Sequence, residues 1–254
     1  MEKLTPFFLL TFFSILFSWS QECIPSGLEV EFLDKNGESE ELYNYDFSYT
    51  IEGRLKEAKI VVRDEATHIL KFEKVETETK ITWFWDDEYD SHYLITPSGL
   101  FEFDEENSMD IENAEKLAIS IENNLLTKYD YSSKTEQTNN YESNLLIKAI
   151  GTKKTNSNHI VWTNEYAYTN VVNPFYYLKD LGYLQISADN FVELYLTLSN
   201  KLLATYKYTS YKNGEEKVQQ INYSHILNDN DCPIEFIDED KSGKIIYRFS
   251  YNQK

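Results

Sequence analysis

Few side chains in this chain stand at spacings that chemistry would use. Its two cysteines are Cys23 and Cys232, its four histidines (His68, His92, His159 and His225) lie singly, and its acids gather in short runs. The runs are Asp86-Asp87-Glu88, Asp104-Glu105-Glu106, Asp229-Asn230-Asp231 and Asp238-Glu239-Asp240. Calcium needs about six to eight oxygens at fixed offsets, with a central Gly and a closing Glu in its loop, and none of the runs has that pattern. They read as solvated turn tips. Two Cys and dispersed His do not make a zinc site. A nucleophile elbow, a metal-binding His pair, a phosphate-cradling Gly loop and a Cys-His couple are all missing from the sequence. No catalytic residue, cofactor or metal is therefore expected, and enzymatic activity is the reading left last. A carboxylate-based hydrolase stays as an alternative, because two acids flanking a groove suffice for glycoside hydrolysis and no sequence pattern marks such a pair.

The chemistry the composition does offer is aromatic. Phe, Trp and Tyr make up 15% of the chain, far more than turns need. Trp83, Phe84 and Trp85 are consecutive, so on a strand one ring must face away from the other two. That arrangement is either a ladder packed across neighbouring strands or a surface on which a ligand stacks. Trp83, Trp85, Trp162, Phe175, Tyr176 and Tyr177 are the candidate ligand-binding residues.

The elements that must position them begin after an export signal. Lys3 gives a positive start, Phe7 to Phe17 is apolar but for Thr11 and Ser14, and Ser18-Trp19-Ser20 offers small residues for cleavage before Gln21. That run is shorter than the roughly 20 residues a membrane helix needs. The expected organisation is a signal peptide over 1–20 and one β domain over 21–254, with no stable membrane span once the signal is removed. Export favours a Cys23–Cys232 disulfide over two buried thiols. The formal net charge of −19 repels nucleic acid and anionic headgroups, and no basic patch offsets it.

Phe47 to Leu55 sets the local pattern: aromatics alternate with small polar residues, Gly53 follows, then an aliphatic residue. The outline returns at His92–Leu100, Tyr206–Gly214 and Phe236–Ile245, so Gly53, Gly99, Gly214 and Gly243 share one turn position where positive φ is expected. Short strands follow one another without helical spacing, which predicts a meander of hairpins. Ile111 to Leu126 fits an amphipathic helix or a hairpin turning at Asn124, and the hairpin repeats the outline. Ser132 to Asn140 reads as a polar loop and Phe191 to Leu198 as a strand. Asn173-Pro174 and Gly182 bracket a short helical segment near 174–181. The predicted fold is all-β: an extended, twisted antiparallel sheet of repeated hairpins, free to curve into a partial barrel.

These repeats, with Asn173-Pro174-Phe175 between them, resemble the exported YD-repeat-like β-hairpin proteins of Bacteroidota, whose outline is Tyr-x-Tyr-x-x-x-Gly-x-aliphatic. The outline is clearest at Phe47–Leu55 and Tyr206–Gly214, weaker at Tyr93–Leu100, and broken at 124 and 228–233. The resemblance implies export, an extended sheet and a periplasmic, cell-surface or secreted location, and carries no catalytic residues. The functional expectation is a non-enzymatic envelope or secreted protein that binds a small hydrophobic or glycan ligand, or a protein partner, through its aromatic sheet. The alternative is an acidic interaction or toxin-neutralising module.

Overall fold

A computed structural model describes residues 23–252 apart from 64–65, 104–110, 112–113, 133, 155–158, 187–191, 213–214 and 240–242. The expected signal segment and Gly214 thus lie outside the described residues. In chain order the strands are β1 (Gly27–Asp34), β2 (Ser39–Tyr49), β3 (Leu55–Val62), β4 (Ala66–Val75), β5 (Glu78–Trp85), β6 (Glu88–Thr96), β7 (Gly99–Phe103) and β8 (Glu115–Leu117). Then come β9 (Ile119–Glu122), β10 (Leu125–Ser132), β11 (Thr135–Glu142), β12 (Leu145–Lys153) and β13 (Ile160–Val172). A 3-10 turn (Pro174–Leu178), α1 (Lys179–Leu184) and α2 (Leu194–Thr197) interrupt the strands. They resume with β14 (Lys201–Lys212), β15 (Glu215–Asn222), β16 (Ser224–Leu227), β17 (Pro233–Glu239) and β18 (Gly243–Ser250).

The all-β antiparallel fold follows the sequence, but as two sheets rather than one continuous sheet. An 11-stranded sheet runs β16-β17-β18-β1-β2-β3-β4-β5-β6-β7-β8, and a 7-stranded sheet runs β15-β14-β13-β12-β11-β10-β9. Neighbours in space are neighbours in sequence except at β1–β18, which pair from Gly27 with Ser250 to Asp34 with Gly243. The strand order is circular, as in a barrel, and it is interrupted between β8 and β9 and between β15 and β16. Along the first interruption Ile121 N donates to Pro97 O at 2.8 Å.

Turn chemistry explains the hairpins, with less glycine than the sequence predicts. Two-residue turns that match strand twist need positive φ at both central positions. Asn123 and Asn124 supply it at 52° and 63°, so Ile111–Leu126 resolves to the hairpin where it is described. Asp86-Asp87 and Ser143-Asn144 do the same elsewhere. Gly53 has the expected positive φ of 76°, but Gly99 and Gly243 do not. They are glycines for space: a Cβ on Gly243 would lie 2.3 Å from Leu33 O, and one on Gly99 would lie 2.6 Å from the Phe101 ring.

Alternate residues of both sheets point into one apolar core. Tyr43, Tyr45 and Phe47 of β2, Leu55, Ala58 and Ile60 around β3, Leu126 and Tyr129 of β10, and Tyr247 and Phe249 of β18 all join it. The helical segment fills the middle. Phe175, Leu178, Leu181 and Leu184 have no exposed surface, and the Phe175 ring meets Tyr247 and Phe249 edge-on at 5.1 and 4.8 Å. Asn173 caps it as predicted: its Oδ1 accepts from Phe175 N at 3.0 Å, and its Nδ2 donates to the Leu196 and Ser199 carbonyls at 2.6 and 2.7 Å. Cys23 and Cys232 are bonded, which fastens the lead into β1 to the turn before β17.

Three local expectations are corrected. Phe191–Leu198 contains helix α2 rather than a strand, because a short apolar run buried on all sides has no period to tell the two apart. Gly182 sits inside α1, not beyond it: a Cβ there would meet Thr197 Oγ1 at 2.4 Å, so it lets α1 and α2 touch. Ser132–Asn140 holds most of strand β11 rather than a loop. Its inward residues are polar yet satisfied, since Tyr129 Oη donates to Gln137 Oε1, Gln137 Nε2 to Asn139 Oδ1, and Asn139 Nδ2 to Leu126 O.

Candidate ligand-binding cavity

The inner face of the 7-stranded sheet does not close completely on the helical segment. A cavity of about 480 Å³ remains, walled by β10, β11, β13 and β14 on one side and by Gln185, Ile186, Glu193, Leu194 and Tyr195 on the other. Its volume lies within the roughly 300–1,000 Å³ of small-molecule sites.

Period-two alternation builds the strand wall. Trp162, Asn164 and Tyr166 share the inward face of β13, and register sets Tyr208 opposite Asn164 and Tyr206 opposite Tyr166. Tyr129 of β10 pairs with Gln137 of β11. Between them, Gly151 of β12 faces Trp162 across the ladder. A Cβ at Gly151 would lie 2.2 Å from Trp162 Cε2, so glycine in mid-strand is what lets the indole lie across β12. Tyr195 of α2 completes the aromatic lining, stacked on Tyr206 at 5.5 Å with an interplanar angle of 15°, while Tyr166 and Tyr206 approach to 5.6 Å.

Polar groups interrupt the rings. Gln185, just after α1, donates from Nε2 to Glu193 Oε2 at 2.7 Å and accepts Leu194 N at 2.5 Å. Burial of the Glu193 carboxyl, opposed only by that amide, raises its pKa above the ordinary carboxylate value. Desolvation likewise raises the Tyr166 and Tyr195 phenols well above theirs. Asp130, also on the lining, is paired with Lys154 at 2.8 Å. Asn164 Oδ1 is buried without a protein hydrogen-bond partner. Among the described residues no Lys, Arg or His lines the cavity.

Of the residues singled out from sequence, Trp162 alone lines this cavity. Phe175 belongs to the core, and Tyr176 and Tyr177 stand beside it, half-buried, with ring centroids 6.4 Å apart. Trp83 and Trp85 are on the other sheet. Trp83 Nε1 donates to His68 Nδ1 at 3.2 Å, and Trp85, 51% exposed, packs against the same histidine at 5.0 Å. Phe84 faces the opposite side beneath Lys71, whose Nζ is 4.6 Å from the ring centre. The triplet therefore divides between two faces as strand geometry demands. Asn164, Gln185 and Glu193 escape sequence reasoning because amides and acids are common in exposed strands and turns. Gly151, a glycine inside a β-branched and aliphatic strand pattern, was a legible signal of close approach.

Among the described residues no group of three or more His, Cys, Asp or Glu could hold a metal ion, and no helix is long and apolar enough to cross a membrane. No family model matches the chain, and no curated protein matches it. Among solved structures the chain is similar to a porin-like protein from Bacteroides uniformis ATCC 8492, with a TM-score of 0.51 and 14% identity over 89% of this chain and 96% of that one. At that identity the likeness is one of fold.

Proposed function

We propose that this is an exported, non-enzymatic protein of the envelope or secreted fraction that binds a saccharide of one or two rings in the interior cavity. One observation carries the reading: the cavity walls alternate aromatic rings with side-chain amides and carboxylates and, among the described residues, hold no Lys, Arg or His. Sugars present C–H faces that pack on aromatic rings and hydroxyls that both donate and accept. Trp162, Tyr206 and Tyr208 offer the rings, and Gln137, Asn164 and Gln185 the hydrogen bonds. A lipid carrier would need a contiguous apolar lining instead. The YD-repeat-like hairpin outline and the Bacteroides fold relative support an envelope or secreted setting.

A pore in a lipid bilayer is a poorer reading, despite the name of that relative. Membrane barrels set apolar residues outward and polar ones inward. Here the order is reversed: Tyr43, Tyr45 and Phe47 are buried inside β2 while Asp46 and Ser48 are exposed, and Lys56 and Lys59 of β3 and Lys71 and Glu73 of β4 are exposed outside.

The test is calorimetric titration with a panel of mono- and disaccharides, with intrinsic fluorescence as a second readout. A saccharide should bind, and Tyr208→Ala should weaken it at least about tenfold, the scale of one lost stacking contact. Binding of long-chain fatty acid with no saccharide binding would overturn the proposal.

A further inference from the structure

The cavity has a charge asymmetry that a neutral sugar does not use. Two carboxylates line it, and only one is compensated: Asp130 meets Lys154, whereas Glu193 takes its polar contact from the neutral amide of Gln185. Among the described residues, the groups that face Glu193 from neighbouring elements add no cation. They are Tyr195 on α2, Tyr223 between β15 and β16, and Tyr247 on β18, each with its phenol raised partly by Glu193, and Asp238 on β17, which acts on the same phenols. An electron-rich ring wall beside an uncompensated acid is the surrounding that attracts an organic cation, through ring faces and a charge-assisted hydrogen bond together.

Resting on the saccharide reading, we infer that the cavity selects an amine-bearing sugar, whose ammonium group sits on Glu193 while its ring stacks on the tyrosine and tryptophan wall. The carboxyl that burial holds toward its neutral form gives up its proton as the cation arrives, so binding releases protons below the pH at which the empty site titrates.

Three disaccharides that differ at the C2 substituent test this: chitobiose with free amines, its N,N′-diacetyl form, and cellobiose. Titrated at pH 6, where the sugar amine is charged, the free amine should bind at least about tenfold more tightly than the other two. Heats measured down a pH series in buffers of different ionisation enthalpy should reveal a released proton on the acid side of the empty site's titration. Glu193→Gln, with its fold checked by circular dichroism, should collapse the ratio between amine and hydroxyl ligands toward one. Equal affinity for all three disaccharides would overturn the inference and leave the saccharide reading standing. An unchanged ratio in Glu193→Gln would also overturn it. Binding of none of the three would overturn the inference together with the reading beneath it.

Discussion

Replacing Gly151 with Ala is the most direct test of how the cavity wall is built. The added methyl would lie 2.2 Å from Trp162 Cε2, 2.4 Å from Nε1 and 2.7 Å from Cδ2, where ordinary contact begins near 3.4 Å. The indole must therefore retreat by more than 1 Å, and Trp162 is only 7% exposed, so it has little room. Overpacking of this kind costs about 1–3 kcal/mol, against which Ala recovers about 0.5 kcal/mol through its smaller loss of backbone freedom. For a domain of this size each kcal/mol is worth about 2–4 °C, so the melting temperature should fall by roughly 1–10 °C. Thermal unfolding followed by near-ultraviolet circular dichroism reads both the stability and the tryptophan's surroundings. Trp162→Leu removes the clashing ring, and in that background Gly151→Ala should be neutral or slightly stabilising. The double-mutant cycle should then give a coupling of about 1–3 kcal/mol. An equal cost of Gly151→Ala in both backgrounds would refute the proposed contact, since the methyl would then be clashing with something else.

Two further outcomes are expected. Asn173→Ala should destabilise by about 3 kcal/mol in urea titrations, because it strands the Leu196 and Ser199 carbonyls and Phe175 N in a buried place at once; a loss below about 1 kcal/mol would remove the cap from the account of the helical segment. Burial raises the Glu193 and Asp180 carboxyls, so the folded state holds their protons more tightly than the unfolded chain. Their favourable contribution is complete below the ordinary values of 4.5 and 3.8 and is lost as pH rises through the raised ones. Glu193→Gln and Asp180→Asn should each flatten that decline in denaturation midpoints measured from pH 4 to 8, and a steeper decline in either variant would reverse the assigned direction.

Much of the fold was legible in side-chain alternation. The aromatic positions of β2, the hairpin at Asn123-Asn124 and the cap at Asn173 follow from strand period, turn φ and N-cap chemistry. What stayed hidden depends on neighbours distant in the chain. The polar run of β11 becomes a strand because Tyr129 and Leu126 answer its amides, and no property of that run by itself reveals those partners. Division into two sheets is equally silent, because β8 and β9 carry the same kind of sequence as strands that do pair. The cavity was half visible: Trp162 could be suspected from its type, but Glu193 gains its character from burial and from the Gln185 amide, which its own stretch of sequence does not reveal.

The ladder between β1 and β18 imposes an order of assembly. Strands β9 to β15 lie together in the chain, and each finds its partner next door, so that sheet can form from local contacts as they emerge. The larger sheet cannot be completed in this way, since β1 emerges early and its second partner is among the last segments delivered. Until then the backbone groups along Gly27–Asp34 form a raw margin, open to strands of neighbouring molecules. A polypeptide stalled short of Gly243 would keep that margin, and aggregation through β1 is its natural fate.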